Sequence, residues 1–178
     1  MKKIVIVGSP GAGKSTLARA LGDILQIEVI HLDSLFWQTG WKKTSREKQI
    51  AIQHQLVQKD AWIMDGSYHD TLESRLDAAD TVIFLDMPRF LCLWRVVKRY
   101  LTERSRPDLP NQCRDKLRCS YLRKVWNFPK QDCASLIKQI EDAEKEFTLL
   151  RSRDEVLDYL QKVRQEVLQE QRQPVGAV

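Results

Sequence analysis

Gly8-Ser9-Pro10-Gly11-Ala12-Gly13-Lys14-Ser15-Thr16 is the stretch on which the reading of this chain turns. It fits G-x-x-x-x-G-K-[ST], a loop whose backbone amides cradle phosphates. Glycines let the chain bend through positive φ with no Cβ in the way, so successive N–H groups converge on an anion. The helix that follows adds its N-terminal N–H groups and the positive end of its dipole. In such a loop Lys14 reaches the β- and γ-phosphates of a nucleotide, and the Ser15 hydroxyl ligates Mg²⁺. Gly8, Gly11, Ala12, Gly13, Lys14, Ser15 and Thr16 are therefore candidate nucleotide-binding residues, and Ser15 a candidate metal ligand.

The flanks give the loop its context. Lys3-Ile4-Val5-Ile6-Val7 is rich in β-branched residues, as a buried parallel strand should be. Leu17, Ala18, Ala20, Leu21, Ile24 and Leu25 repeat at helical spacing. Further along, a strand is expected at 28–32, ending at Asp33. Thr44-Ser45-Arg46-Glu47 reads as a capping box with Thr44 as the cap, opening a helix to about residue 59 with Ile50, Ile52, Leu56 and Val57 inward. Ala61-Trp62-Ile63-Met64 is a third strand, closed by Asp65-Gly66, and Leu72, Leu76 and Ala79 mark a short helix. Thr81-Val82-Ile83-Phe84-Leu85 is a fourth strand ending at Asp86, followed by a helix over 89–103. Pro107 and Pro110 break the pattern. Helices are expected at 114–127, stopping before Pro129, and at 132–146, capped by Asp132. Phe147-Thr148-Leu149-Leu150 is a last strand and 154–168 a closing helix, with a frayed end from Gln169.

Strands alternating with helices predict a parallel sheet with right-handed crossovers. The expected fold is α/β: a three-layer αβα P-loop NTPase with a five-stranded parallel sheet and a helical lid insertion. One domain is expected over 1–162, its lid at about 95–130, with 163–178 forming the helix end and tail. Ligands in such sheets bind at the carboxyl ends of the strands. That rule gathers the loop, Asp33, Asp65 and Asp86 at one edge.

The 178 residues suit one domain, and the 43% hydrophobic content suffices for its core. No apolar stretch approaches a membrane span. Cys92, Cys113, Cys119 and Cys133 fit no common zinc spacing; with no secretory signal, reduced thiols in the cytoplasm are expected. Charge is uneven. The 95–130 segment holds eleven Lys/Arg against three acids, a net +8, while the whole chain carries +5. A concentrated positive patch implies an anionic partner, either nucleotide phosphates or nucleic acid.

With these residues in view, the chain resembles the small P-loop kinases of the adenylate kinase and shikimate kinase type. The resemblance rests on the 8–14 loop, on Trp62-Ile63-Met64-Asp65-Gly66, and on Val82-Ile83-Phe84-Leu85 followed by Arg95 and Arg99. More narrowly, His31-Leu32-Asp33, Phe36-Trp37…Gly40-Trp41, Asp65-Gly66-Ser67-Tyr68 and Trp126-Asn127-Phe128-Pro129 resemble a bacterial family labelled adenylate kinase-like or "DNA topology modulation" proteins. The likeness covers about residues 1–162. It implies ATP as phosphoryl donor, with Arg95 and Arg99 packing on adenine or gripping phosphates. It also implies an aspartate after strand two that meets the acceptor, here Asp33. Two departures stand out. Ser67-Tyr68 replaces the Pro-Arg that usually follows Asp-Gly in nucleoside monophosphate kinases, and the segment after Asp33 lacks the usual arginine. Arg75, from the next helix, is the available substitute.

The candidate catalytic residues are thus Lys14, Asp33, Arg95 and Arg99, with Asp33, Tyr68 and Arg75 as candidate substrate contacts. Asp65 joins Ser15 as a candidate for Mg²⁺, through a bound water. Each has a plainer reading: Asp33 as a helix cap or loop acid, Asp65 as half of an Asp-Gly turn, the two arginines as a solvated helix face. Phe36, Trp37, Trp41 and Tyr68 line either an acceptor pocket or the core. Arg104, Arg106, Arg114 and Arg118 are candidate lid residues. His31, His54 and His69 show no ligand spacing. The leading function is a kinase passing the γ-phosphate of Mg-ATP to a small-molecule or nucleotide acceptor, as a monomer or homodimer with no membrane partner. The alternative is an ATP-dependent, nucleic-acid-associated protein affecting DNA topology. A GTPase fits poorly, since no Asn-Lys-x-Asp occurs and Asp65-Gly66-Ser67-Tyr68 is not Asp-x-x-Gly.

Overall fold

A computed structural model describes residues 1–38, 42–102 and 119–172. The elements follow as β1 (Lys3–Gly8), α1 (Lys14–Leu25), β2 (Val29–His31), α2 (Leu32–Phe36), β3 (Trp37–Gln38), β4 (Lys42–Lys43), α3 (Arg46–Val57) and β5 (Trp62–Asp65). The second half holds α4 (Leu72–Ala78), β6 (Thr81–Leu85), α5 (Arg89–Thr102), α6 (Cys119–Gln131), α7 (Cys133–Asp142), β7 (Phe147–Leu150) and α8 (Arg153–Arg172). Strands β2-β5-β1-β6-β7 form one five-stranded sheet in that order, with all neighbours parallel. β3 and β4 form a separate small antiparallel hairpin.

The alternation of side chains along β1 builds the two cores. Ile4 and Ile6 join Leu17 and Leu21 of α1, Cys92 and Val96 of α5 and Val163 of α8 on one face. Val5 and Val7 join Leu72 and Leu76 of α4 and Leu136 and Ile140 of α7 on the other. A sheet covered on both faces needs strands apolar on both sides, which is why β1 and β6 read as unbroken hydrophobic runs.

Several boundaries differ from the sequence expectation. The strand expected over 28–32 is shorter, because the chain turns into α2 straight after His31 and buries Leu32 and Phe36. Ser45, not Thr44, caps α3, accepting from the Lys48 N–H at 3.3 Å. Thr44 points inward and its hydroxyl donates to Phe36 O, tying down the hairpin's return. The inward face of α3 is mixed: Val57 is buried and Ile52 and Leu56 pack against the core as expected, but two glutamines share that face and Ile50 does not. Gln49 and Gln53 are buried while Ile50 is 38% exposed. Gln49 Nε2 donates to Thr44 O at 2.9 Å, so its burial leaves no loose amide there. Pro129 does not end a helix but lies inside α6. The chain bends at Asp132 instead, whose N–H donates to Phe128 O and whose O accepts from Leu136 N–H. The Asp132 side chain makes no capping bond. α7 stops at Asp142, short of the expected 146, and Glu144 takes the left-handed φ of 52°. α8 continues through Arg172, past the expected frayed start at Gln169.

Candidate active site

The loop between β1 and α1 is wedged between β6 and α5. A Cβ on Gly8 would lie 2.3 Å from Leu85 O, and one on Gly11 2.5 Å from Cys92 O, with both residues at positive φ. These contacts, as much as the loop's curvature, require glycine. Lys14 Nζ arcs back to donate to Gly8 O and Ser9 O, both at 3.0 Å. Ser67 braces the loop's entry, accepting from Gly8 N–H at 3.0 Å and donating to Gly8 O at 2.8 Å. Ala12 departs from the expectation of a phosphate contact. Its N–H donates to Ser9 O at 3.1 Å, its side chain is buried, and its carbonyl accepts from Arg95 Nη1 at 2.9 Å. Its place is to shape the loop and anchor Arg95.

At the start of α1, Ser15 Oγ donates to Asp65 Oδ2 at 2.6 Å. The other carboxylate oxygen, Oδ1, faces His31 Nδ1 at 2.7 Å. Asp65 is only 5% exposed. A hydroxyl beside a carboxylate, beneath a phosphate loop, is the hard-oxygen donor set that Mg²⁺ takes, and the glycine-lined loop above it suits a polyphosphate. His31 was missed from the sequence because its spacing matches no ligand motif. The usable signal was register: β2 lies beside β5, with His31 the direct partner of Asp65.

Asp33 sits in the first turn of α2. Tyr68 OH donates to its Oδ1 at 2.5 Å, and the Tyr68 ring meets Phe36 edge-on at 4.7 Å. Burial, then the Asp33 carboxylate, pushes the Tyr68 hydroxyl far above its ordinary pKa, so it stays a donor at neutral pH. Arg75 contradicts the expectation of a substrate contact. It is 0% exposed, donating from Nη1 to Gly66 O at 2.7 Å and from Nη2 to Tyr68 O at 3.1 Å. With the Gln53 amide oriented to satisfy both its ends, Gln53 accepts from Arg75 Nε and donates to Thr71, each at 2.8 Å. Burial pushes the guanidinium pKa down to about 10, which leaves it charged at neutral pH. Arg75 is the strut beneath the 66–68 segment.

A single cavity of about 960 Å³ brings Lys14, Ser15, Asp33, Asp65 and Tyr68 together with Arg95 and Arg99 of α5. Gly8, Gly11, Gly13 and Thr16 also border it. So do residues that the sequence reading did not name as site residues, notably Lys98, Lys124, Phe128 of the 126–129 motif, and Asp132, expected there only as a helix cap. Asp86 lies apart, 3.7 Å from Arg151 Nε. Trp41, Cys113, Arg104, Arg106, Arg114 and Arg118 fall outside the described residues. Cys92 is buried and Cys119 exposed. Among the described residues no helix is long and apolar enough to cross a membrane.

Comparison with known proteins places the fold. The chain is similar to the solved structure of a shikimate kinase from Acinetobacter baumannii in complex with shikimate, with a TM-score of 0.59 at 18% identity over 97% of this chain and 96% of that one. It is 27% identical over 146 residues to an adenylate kinase of Cyanothece sp., covering 66% of this chain and 75% of that protein. Over 47 residues it is 45% identical to threonine synthase-like 1 of Mus musculus, covering 26% of this chain and only 6% of that protein. No protein-family model matches the sequence. The chain has the α/β fold of the P-loop nucleotide and small-molecule kinases.

Proposed function

We propose that the chain is a Mg²⁺- and ATP-dependent phosphotransferase that moves the γ-phosphoryl group of ATP to a hydroxyl of a small acceptor held against Asp33 and Tyr68. One observation carries this reading: the phosphate loop and the Asp33 carboxylate border the same cavity of about 960 Å³, at the large end of small-molecule sites. Donor and acceptor can then meet without leaving it.

The roles follow from charge and reach. Phosphoryl transfer asks the protein for alignment and charge neutralisation rather than covalent chemistry. Lys14, Arg95 and Arg99 supply cations around the β- and γ-phosphates, and the loop amides supply fixed dipoles. Arg95 is already aimed at the loop by its bond to Ala12 O. Ser15 and Asp65 would hold Mg²⁺, which would offset the negative charge that develops on the transferring phosphate. Asp33 orients the acceptor hydroxyl and takes its proton as the oxygen attacks the γ-phosphorus. The bond from that phosphorus to the β–γ bridging oxygen breaks, and ADP leaves with the electron pair. The Tyr68 hydroxyl holds one Asp33 oxygen, leaving the other to face the acceptor. The α5 cations that the sequence left open to nucleic acid, Arg95, Lys98 and Arg99, line this cavity, which favours nucleotide phosphates as their partner.

Incubating the protein with Mg-ATP labelled at the γ-position and a metabolite pool tests the reading. Transfer of label to one class of hydroxyl compound is expected. Label released only as inorganic phosphate, above all if DNA stimulates that release, overturns it.

A further inference from the structure

The acceptor wall continues past Asp33 and Tyr68. His69 follows in sequence, and its Nε2 lies 3.7 Å from Asp132 Oδ1 at the bend between α6 and α7. Phe128, one helical turn before Asp132, and Trp37 add apolar faces to the same cavity, and Lys124 lies one turn earlier still.

This wall is poorly made for an anionic acceptor. A phosphate or carboxylate is best gripped by the planar fork of an arginine. Arg75 is the arginine this wall possesses among the described residues, and its donors are engaged by Gly66 O, Tyr68 O and Gln53 while it lies fully buried. The other described cations of the cavity are Lys14 and Arg19 of α1 and Arg95, Lys98 and Arg99 of α5, whereas Lys124 is the described lining cation on α6, the helix that carries Phe128 and leads to Asp132. Lys43 stands 5.8 Å from the centre of the Tyr68 ring but does not line the cavity. Burial, the largest influence on His69, lowers its pKa and keeps the imidazole neutral at pH 7. A neutral imidazole offers one donor and one acceptor, and carboxylates offer acceptors. Hydroxyl groups, which both donate and accept, match that set. The aromatic faces of Trp37 and Phe128 suit the apolar side of a ring.

Resting on the phosphotransferase reading, we propose that the acceptor is a neutral ring compound bearing several hydroxyls, one directed to Asp33 and others to His69 and Asp132. Free sugars or cyclitols and nucleosides share that chemistry. Compounds whose recognised group is a phosphate or a carboxylate are disfavoured.

The test uses the full chain with Mg-ATP and mass detection of phosphorylated product. Hexoses, cyclitols and nucleosides are each compared with a matched phosphorylated or carboxylated counterpart. Neutral compounds should be turned over with kcat/KM at least about tenfold higher than their anionic counterparts, the scale of one misplaced charged contact. Turnover of nucleosides alone assigns that source, and turnover of free rings alone the other. Asp132→Ala should raise the acceptor KM about tenfold or more, with ATP affinity and melting temperature held. Its side chain makes no capping bond that would disturb the fold. A nucleoside monophosphate or sugar acid preferred over its neutral counterpart, or an unchanged KM in Asp132→Ala, overturns the proposal. If nothing in either group is phosphorylated, the phosphotransferase reading fails first, and this inference falls with it.

Discussion

The two walls of the cavity are made of different material. The donor wall is mostly backbone from one short run, residues 8–16, with Lys14 folded over it. The acceptor wall is side chains from separate elements: Asp33 on α2, Tyr68 and His69 after β5, Phe128 and Asp132 around the α6–α7 bend. A wall of main-chain dipoles comes with the local fold and recognises what all nucleotides share. A wall of side chains exists only once the sheet order has brought distant segments together, and it can differ between chains of one fold. Removing a side chain should therefore separate the two: acceptor-wall changes should spare ATP binding, and donor-wall changes should not.

The largest expected effect tests the acceptor wall. Asp33→Asn keeps the shape and the Tyr68 contact but removes the proton acceptor. Its kcat should fall by about 10²–10⁴, the usual contribution of a positioned general base, while ATP affinity measured by calorimetry stays at the parental value. A matching loss of ATP affinity would mean that Asp33 serves the donor. Next comes Lys14→Ala on the donor wall. By analogy with removing one preorganised electrostatic contact, a loss of about 10²–10³ in rate is expected, here accompanied by weaker ATP binding and an unchanged circular dichroism spectrum. A variant that binds Mg-ATP as tightly as the parent would remove the basis of the donor wall.

The same contrast explains what could be read from sequence. The sheet was legible because β1, β5, β6 and β7 are short apolar runs bounded by polar turns, a pattern that burial on both faces imposes. The phosphate loop was legible because its glycines and lysine are consecutive. Asp33, Asp65, Tyr68, Arg95 and Arg99 could be placed near the cavity because they stand at strand ends or on one helix face. His31 and Asp132 could not. The first depends on β2 lying beside β5, and the second on a helix that bends rather than stops after Pro129. Arg75 was misread for a related reason. A charged residue is expected at the surface, and nothing in its neighbours announces the carbonyls and glutamine that bury it. Thr44 and Ser45 show the limit of cap motifs: adjacent hydroxyl residues fit the pattern equally well, and a tertiary bond to Phe36 O decided between them.

His31 sharpens the boundary between the walls. It holds Asp65 Oδ1 while Oδ2 accepts from Ser15. Partners that orient a metal ligand typically matter by about 10–100-fold in metal affinity or activity. His31→Leu should therefore lose about tenfold of whatever gain in ATP affinity Mg²⁺ gives the parent, with metal-free ATP binding unchanged. His31→Asn, which places an N–H where Nδ1 stands, should recover most of it. Equal Mg²⁺ dependence in the parent and the leucine variant would reduce His31 to a packing residue.

The smallest expected effect on chemistry concerns Arg75, and it decides whether the acceptor wall has a strut or a hand. Arg75→Leu leaves Gly66 O and Tyr68 O without their guanidinium partner. Hydrogen bonds to a charged group contribute on the order of 2 kcal/mol, so melting should fall by roughly 4–8 °C for a chain of this size. Lysine should not restore it, since a point charge cannot serve two carbonyls and a glutamine at once as the planar fork does. Below the transition, kcat at saturating acceptor should stay near the parental value, because Arg75 lies under the floor and not in the cavity. If the melting temperature holds while the acceptor KM climbs, Arg75 reaches the acceptor after all, and the acceptor wall regains the anion grip that its geometry here denies it.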